Sequence, residues 1–279
     1  MLRIGHFNEL EVTKIMAAGA MVDGGSCGTV LLTARAGEAF EANTRVNVFI
    51  YRDSEGELAA TTLQPLAIVG EIAWLKIVTV NQVGAFASWG LPRDLFIPFA
   101  EQQYPLSIGS EVLVRVYIDN QDRLAGSTRI DRWVEDEAEG LSPGDKVSLI
   151  IADKTELGYK AIINHRWWGL LYNSELFQSV RKGQSVTGYI NRIRADHRVD
   201  LSLSKPGYSK NKIDVIADQI ITRLEQNDGR LLLTDKSPPP VIYAEFGVSK
   251  KIFKQAVGAL YKNRRITLDP EGMSLNENN

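Results

Sequence analysis

The chain has 279 residues, 44% hydrophobic and 24% charged, with a formal net charge of −2, which is enough for two to four domains with real cores. Its single cysteine, Cys27, excludes an internal disulfide and any zinc site built on cysteine pairs, and His6, His165 and His197 show no metal-ligand spacing. No apolar run is long enough to cross a membrane, and Met1 to Leu10 lack the basic-then-apolar layout of a signal peptide, so a cytoplasmic location without a membrane partner is expected.

The small net charge hides a division. Residues 1–141 carry 11 Lys/Arg against 19 Asp/Glu, a net of −8, whereas residues 142–279 carry 21 against 15, a net of +6. Such a split suits a chain whose second half meets a polyanion; a drift in the charge of solvated surfaces is the alternative.

From the N-terminus, three segments repeat one layout, their starts separated by roughly 60 to 75 residues. Each has a Gly-bearing middle hairpin: Gly19 to Gly25, Gly84 to Gly90, and Gly158 to Gly169. Each ends in a strand–turn–strand unit of alternating β-branched and polar residues. In the first, Val46 to Asp53 leads through the turn Ser54-Glu55-Gly56 to Glu57–Thr61; in the second, Val112 to Asp119 leads through Asn120-Gln121-Asp122 to Arg123–Ser127. In the third, Val186 to Ile190 leads through a turn near Asp196 to Val199–Leu203. Gly109 and Gly183 precede the long strands of the second and third segments, and Asn43 stands near that place in the first. About five short strands in some 65 residues suit a small closed or nearly closed barrel. Between the second and third segments, the acidic run Glu135 to Glu139, ended by Gly140, reads as a linker or a short exposed helix end.

From about Lys210 the period becomes helical, with Ile213, Ile216, Ile220 and Leu224 three or four apart and Gly229 closing the run. Leu231 to Thr234 read as a strand, Ser237-Pro238-Pro239-Pro240 as a helix start, Val241 to Phe246 as a short helix, and Gly247 as a tight turn. Ser249 is a good N-cap for a helix to about Asn263, and Ile266–Leu268 with Met273–Leu275 read as a hairpin. That order is a winged helix-turn-helix. The expected fold is therefore mainly β: three tandem barrels over residues 1–66, 67–134 and 141–208, then an α+β winged helix over 209–279.

Two regions carry chemistry. On the helix from Ser249, Ile252, Phe253, Ala256, Val257, Ala259 and Leu260 fall on one side; Lys250, Lys251, Lys254, Gln255 and Lys262 fall on the other, with Arg264 and Arg265 just beyond. A basic second helix of this motif is placed to meet phosphates or base edges, and the alternative is a solvated lysine face that meets protein. The third segment, from Ser142 to Tyr208, holds ten Lys/Arg against six Asp/Glu. In it Tyr159, His165, Trp167, Trp168, Tyr172, Tyr189 and Tyr208 alternate with Lys160, Arg166, Arg192, Arg194 and Arg198. Rings stack bases and cations neutralise phosphates in single-strand binders, although any one ring can equally be barrel core. Neighbouring Trp167 and Trp168 cannot both point inward in a regular strand, so one ring is expected to face out or cap a barrel end.

Gly24-Gly25-Ser26-Cys27-Gly28 matches G-x-S-x-G, but Thr29 to Thr33 after it reads as a strand where a nucleophile elbow needs a helix. It is read as a Gly-rich hairpin. No phosphate-binding glycine motif is present, so neither an enzyme, a cofactor, a metal nor a small-molecule substrate is expected.

The barrel segments resemble the S1 RNA-binding domain, an OB-fold module. In the second segment Val80 to Ala87 is similar to its strand ending in Gly-Ala-Phe, and Asp119 with Arg123 is similar to the Asp and Arg of its final hairpin; in the third, Leu201-Ser202-Leu203-Ser204-Lys205 is similar to its closing strand. The first segment keeps only Val46–Asp53 and Thr61-Thr62. From about residue 5 to 275 the chain resembles the CvfB/YitL-like family of bacterial proteins, through Val48–Ser54, Asp94–Phe99, Trp168–Tyr172 and Phe246–Lys251 taken in order. The resemblance implies three S1-like OB-fold barrels, a winged helix and an RNA-binding regulatory role. It implies contacts at Phe86, Asp119 and Arg123 in the second segment. In the third it places Lys160 at the stacking position, Tyr172 at the usual histidine position and Arg198 at the arginine position. Val83 and Leu157 stand where the first aromatic is usual, and the histidine position of the second segment falls near Ile97. The expected partner is single-stranded RNA on the third segment and the winged helix; docking on the ribosome or another protein is the alternative, and duplex DNA on the winged helix a further one.

Overall fold

Three times along the chain a long strand bends at a bulge, and the strands after it fold back to close a five-stranded barrel. The computed structural model describes residues 2–17, 19–33, 37–53, 55–173, 176, 179–205 and 209–276, without the side chains of 209–212; Ser54 and Tyr208 lie outside the described residues.

The first barrel contains β1 (Phe7–Met16), β2 (Gly19–Asp23), β3 (Thr29–Thr33), β4 (Arg45–Arg52) and β5 (Leu58–Thr61). The second contains β6 (Ile72–Val80), β7 (Gly84–Ser88), β8 (Leu95–Pro98), β9 (Glu111–Ile118) and β10 (Leu124–Ser127). The third contains β11 (Lys146–Lys154), β12 (Gly158–Ile163), β13 (Trp167–Tyr172), β14 (Ser185–Ile193) and β15 (Val199–Ser202). In each the third and fifth strands pair in parallel and the first and fourth pair antiparallel, which closes the ring. The chain is thus a mainly β protein of three OB-like barrels and a winged helix.

Two repeated backbone devices explain the closure. The bulges fall at Val12/Lys14, Ile77/Thr79 and Ile151/Asp153. At each, the N–H of a left-handed residue donates to the strand: Asn43 to Val12, Gly109 to Ile77 and Gly183 to Ile151, all at 2.8 Å. Their φ values are 60°, 85° and 81°, a region that glycine and asparagine tolerate best, so Asn43 performs in the first barrel what glycine performs in the others. The second device opens the middle hairpins. A Cβ on Gly84 or Gly158 would run into the carbonyl oxygen of Ile97 or Leu171 on the facing strand.

Alternation then sorts the side chains. Val12, Val22, Leu32, Val48 and Ile50 fill the first barrel; Leu75, Ile77, Leu95, Ile97 and Val114 fill the second; Leu149, Ile151, Ile163, Ile190 and Leu201 fill the third. Phe49 belongs to β4 of the first barrel yet packs in the core of the second, edge-on to Trp89 with ring centroids 6.0 Å apart. Residues Met1–Val134 accordingly form one compact unit and Glu135–Asn279 another.

The acidic run from Glu135 departs from the expected linker or exposed helix end. Glu135 bridges Trp167, its N–H donating to the Arg166 carbonyl while its own carbonyl accepts from Trp168, and the Ala138 N–H donates to the His197 carbonyl. Ala138 is buried in the third barrel's core. The charges face solvent while the backbone is sewn to the barrel, a pairing that a charge run in sequence does not disclose.

The winged helix comprises α1 (Ser209–Gln226), β16 (Arg230–Leu231), α2 (Pro239–Phe246), α3 (Lys250–Lys262), β17 (Ile266–Leu268) and β18 (Met273–Leu275), with sheet order β16-β18-β17. Its core joins Ile216, Ile220 and Leu224 of α1 to Phe253, Val257 and Leu260 of α3. Gly247, at φ 63°, ends α2, and the Ser249 hydroxyl accepts from the Ile252 N–H to cap α3. The strand expected over Leu231–Thr234 shrinks to Arg230–Leu231. Thr234 and Ser237 exchange hydrogen bonds in a turn that draws the chain off the sheet and into α2, leaving Leu232 exposed. None of the helices among the described residues is long and apolar enough to cross a membrane. The G-x-S-x-G stretch is, as read, the turn of a hairpin: it joins the paired strands β2 and β3.

Candidate nucleic-acid interface

The shared fold makes one outer surface comparable across the barrels. On the middle hairpin, Met21 pairs with Leu31, Phe86 with Phe96, and Lys160 with Leu170. At the final turn, the N–H of Asp53, Asp119 and Arg194 donates in turn to the carbonyl of Glu57, Arg123 and Arg198. The same four places therefore hold Met, Leu, Asp and Glu in the first barrel, Phe, Phe, Asp and Arg in the second, and Lys, Leu, Arg and Arg in the third.

In the second barrel this surface is an open hollow of about 420 Å³, lined by Phe86, Phe96, Trp89, Arg123 and, from the first barrel, Tyr51. Phe86 and Phe96 are half-buried with centroids 5.2 Å apart. Arg123 is held by Asp119 through Nε and Nη2, at 3.0 and 2.9 Å. Burial pushes the Asp119 carboxyl up, but the Arg123 N–H and guanidinium, with the Gln121 N–H, outweigh it and hold it below the usual carboxylate range.

In the third barrel the hollow measures about 540 Å³ and is lined by Lys160, Trp168, Leu170, Arg194 and Arg198, with Asp136 and Glu156 also present. The Lys160 ammonium lies 3.6 Å from the Trp168 ring centroid. Arg194 donates to Asp200 through Nε and Nη2, and Nη2 also donates to the Tyr172 hydroxyl at 2.6 Å. The hydrogen bonds that Arg194 donates to the Asp200 carboxylate raise its pKa, so this guanidinium stays charged. Arg192 and Arg198 are exposed, Arg198 only 3.9 Å from Asp196.

The tryptophan pair alternates as the strand requires, yet neither ring stands open. Trp167 enters the core and is 9% exposed; Trp168 lies on the other side of the sheet, beside its register partner Ile162, and is 8% exposed under Lys160. One ring thus faces out of the barrel core as expected, and a lysine lies over it. His165 is half-buried at the tip of the β12–β13 turn, where it and Asn164 have φ of 61° and 46°. Arg166 is exposed beside it, 4.7 Å from the Trp167 centroid and 3.7 Å from Glu135. Of the predicted residues, Lys160, Trp168, Arg194 and Arg198 thus line the hollow, His165 and Arg166 sit at the hairpin tip, Tyr172 meets Arg194, Arg192 is exposed on β14, and Trp167 is core.

On α3, Phe253, Ala256, Val257 and Leu260 are buried, while Ile252 and Ala259 are half-buried. Lys251, Lys254, Gln255, Lys262, Arg264 and Arg265 are exposed, and Lys250 is half-exposed. Lys250 donates to the Lys236 carbonyl, and Lys254 stands 3.5 Å from Asp235. Lys262, Arg264 and Arg265 crowd the C-terminal end of the helix, where Arg264 adopts φ 55°. The wing turn, by contrast, carries Asp269 and Glu271, both facing Arg230.

Reading the motifs missed Phe96 and Tyr51. It set a contact position near Ile97, which is core; period-two alternation from Ile97 assigns Phe96 to the outer surface. Tyr51 needed the association of two barrels, which no local pattern encodes.

Residues 218–275 match the family described as the CvfB-like winged helix domain, and residues 4–63 match the S1 domain family. The S1 match falls on the first barrel, where the motifs were sparsest. The chain is 29% identical over 246 residues to the uncharacterized protein YitL of Bacillus subtilis (strain 168), covering 82% of this chain and 79% of that one. It is 25% identical over 291 aligned residues to Conserved virulence factor B of Staphylococcus aureus (strain MRSA252), covering 98% and 94%. A crystal structure of a multidomain protein with nucleic acid binding domains from Streptococcus pneumoniae is similar at 25% identity and a TM-score of 0.42, over 98% of each chain.

Proposed function

We propose that this chain, which belongs to the CvfB/YitL-like family, holds single-stranded RNA on its third barrel and its winged helix and acts as a regulator of gene expression in the cytoplasm, without catalysis. One observation carries the reading. The outer surface that holds Met21, Leu31, Asp53 and Glu57 in the first barrel holds Lys160, Leu170, Arg194 and Arg198 in the third. A nucleic acid carries one negative charge per nucleotide, so cations gathered on one surface raise affinity by releasing counterions. The exposed cations of α3 add a second cluster in the same unit.

The test is a mobility titration of labelled single-stranded RNA against residues 135–279 and residues 1–134, cut so that the Glu135–Gly140 run stays with the barrel it is bonded to. The second unit retains most of the affinity of the whole chain. Equal binding by residues 1–134 contradicts the assignment.

Docking on a protein is the second reading, favoured by one observation: Ile15, Met16 and Leu31 of the acidic first barrel are exposed apolar residues. Salt-insensitive capture of a protein, with no affinity for free RNA, would support it.

A further inference from the structure

We propose that the third barrel takes the phosphates of its strand and stacks no base, an inference that rests on the reading of single-strand binding above. In the second barrel the middle hairpin presents Phe86 against Phe96, and the hollow there has Tyr51 and Trp89 besides. In the third barrel the matching pair is Lys160 and Leu170, and Trp168 is the ring among the described residues that line the hollow. An ammonium 3.6 Å above that ring occupies the place a base would need. Tyr172 is engaged by Arg194 at its hydroxyl, with the guanidinium carbon 6.0 Å from its ring centroid, and Trp167 is in the core.

Beside the exposed Leu157, what the hollow offers is charge. Arg198 is exposed and loosely held, whereas its counterpart Arg123 is clamped by Asp119. Arg194 is held through Nε and Nη2 by Asp200, which is only 13% exposed, and by Tyr172, which leaves Nη1 to meet an anion. Asp136 and Glu156 also line the hollow and oppose an anion. One isolated phosphate therefore gains little, and a strand that lays successive phosphates on Lys160, Arg194, Arg198 and Arg192 gains more. The second barrel would discriminate flat rings; the third would be indifferent to bases.

The experiment measures anisotropy of the full chain carrying Phe86→Ala and Phe96→Ala, which removes the second barrel's stacking pair, with a labelled uridine oligomer and with an abasic ribose-phosphate oligomer of the same length, using inorganic polyphosphate as competitor. The abasic strand is expected to bind within about threefold of the uridine strand, and Lys160→Met and Arg198→Gln each to weaken both strands equally, flattening the log–log salt slope by about 0.7 per lost contact. Arg198 lies on an exposed turn, so its variant remains informative if Lys160→Met disturbs the ring beneath it. Loss of more than about tenfold on removing the bases, the size of one stacking contact, overturns the inference and leaves RNA binding standing. Unchanged abasic affinity in both variants also overturns it. Binding of polyphosphate with no affinity for either strand keeps the phosphate chemistry and removes the nucleic acid reading; no binding of any of the three removes both.

Discussion

The ammonium of Lys160 lies 3.6 Å from the centre of the Trp168 ring, at the register position where the second barrel places Phe86. One fold position thus offers a ring in one barrel and a cation in the next. The ring that supports the cation is sealed by it. Charge at this site is therefore bought with an aromatic surface that could otherwise have stacked.

Trp168 should matter for stability as well as for placing Lys160. Trp168→Ala removes a ring that is 8% exposed, and loss of a buried aromatic of this size costs about 3–5 kcal/mol. Thermal denaturation should show earlier unfolding of the Glu135–Asn279 unit; an unmoved transition would mean that the ring is not packed as described.

Two glycines should respond in opposite directions. At Gly158 a Cβ meets the Leu171 carbonyl oxygen, so Gly158→Ala should destabilise by about 1–3 kcal/mol. At Gly258, inside α3, a Cβ meets nothing, and Gly258→Ala should stabilise by about 0.5–1 kcal/mol through helix propensity. Denaturant titration of each variant reads the sign.

The Asp119 carboxyl is held below its ordinary value, and the sign of its pH effect follows. A group depressed in the folded state adds stability above its unfolded pKa, and that contribution is lost as pH falls through the folded value. The advantage of the native chain over Asp119→Asn should be full at neutral pH, begin to shrink as pH falls toward the ordinary value of 3.8, and vanish below the folded pKa. A difference that grows on acidification would contradict the Arg123 contacts.

The wing should act against duplexes. Asp269 and Glu271 sit at its turn, the first accepting from the Glu271 and Gly272 N–H groups. A wing that follows a backbone would set both carboxylates against phosphates. Asp269→Asn with Glu271→Gln keeps the turn's acceptor and should raise duplex affinity several-fold while leaving single-strand affinity nearly unchanged, read by competition between the two nucleic acids. No gain for duplex would remove this role from the wing.

Much of this was legible in the residues. The strand–turn–strand endings located the barrels because Asp53 and Asp119 sit at turns that their carboxylates cap. Ser249 and Gly247 marked the helix ends by the same local logic. The site was less legible, since its meaning depends on partners brought from elsewhere. Lys160 reads as a free cation until Trp168 is folded beneath it, and Arg194 as one more exposed arginine until Asp200 and Tyr172 hold it. The Glu135–Gly140 run departs from a linker or a helix end for the same reason: Glu135 and Ala138 are bonded to Arg166, Trp168 and His197, all remote in sequence.

If cations of the second unit hold unpaired RNA, the salt dependence of the dissociation constant for a labelled single-stranded RNA will show it, on the full chain and on a variant with Arg192, Arg198, Lys262 and Arg265 neutralised. The native chain should lose affinity steeply with salt, and the variant should bind more weakly with a slope shallower by up to about 0.7 for each contact removed. Affinity that ignores salt, or a variant that binds with the native slope, would place the RNA elsewhere.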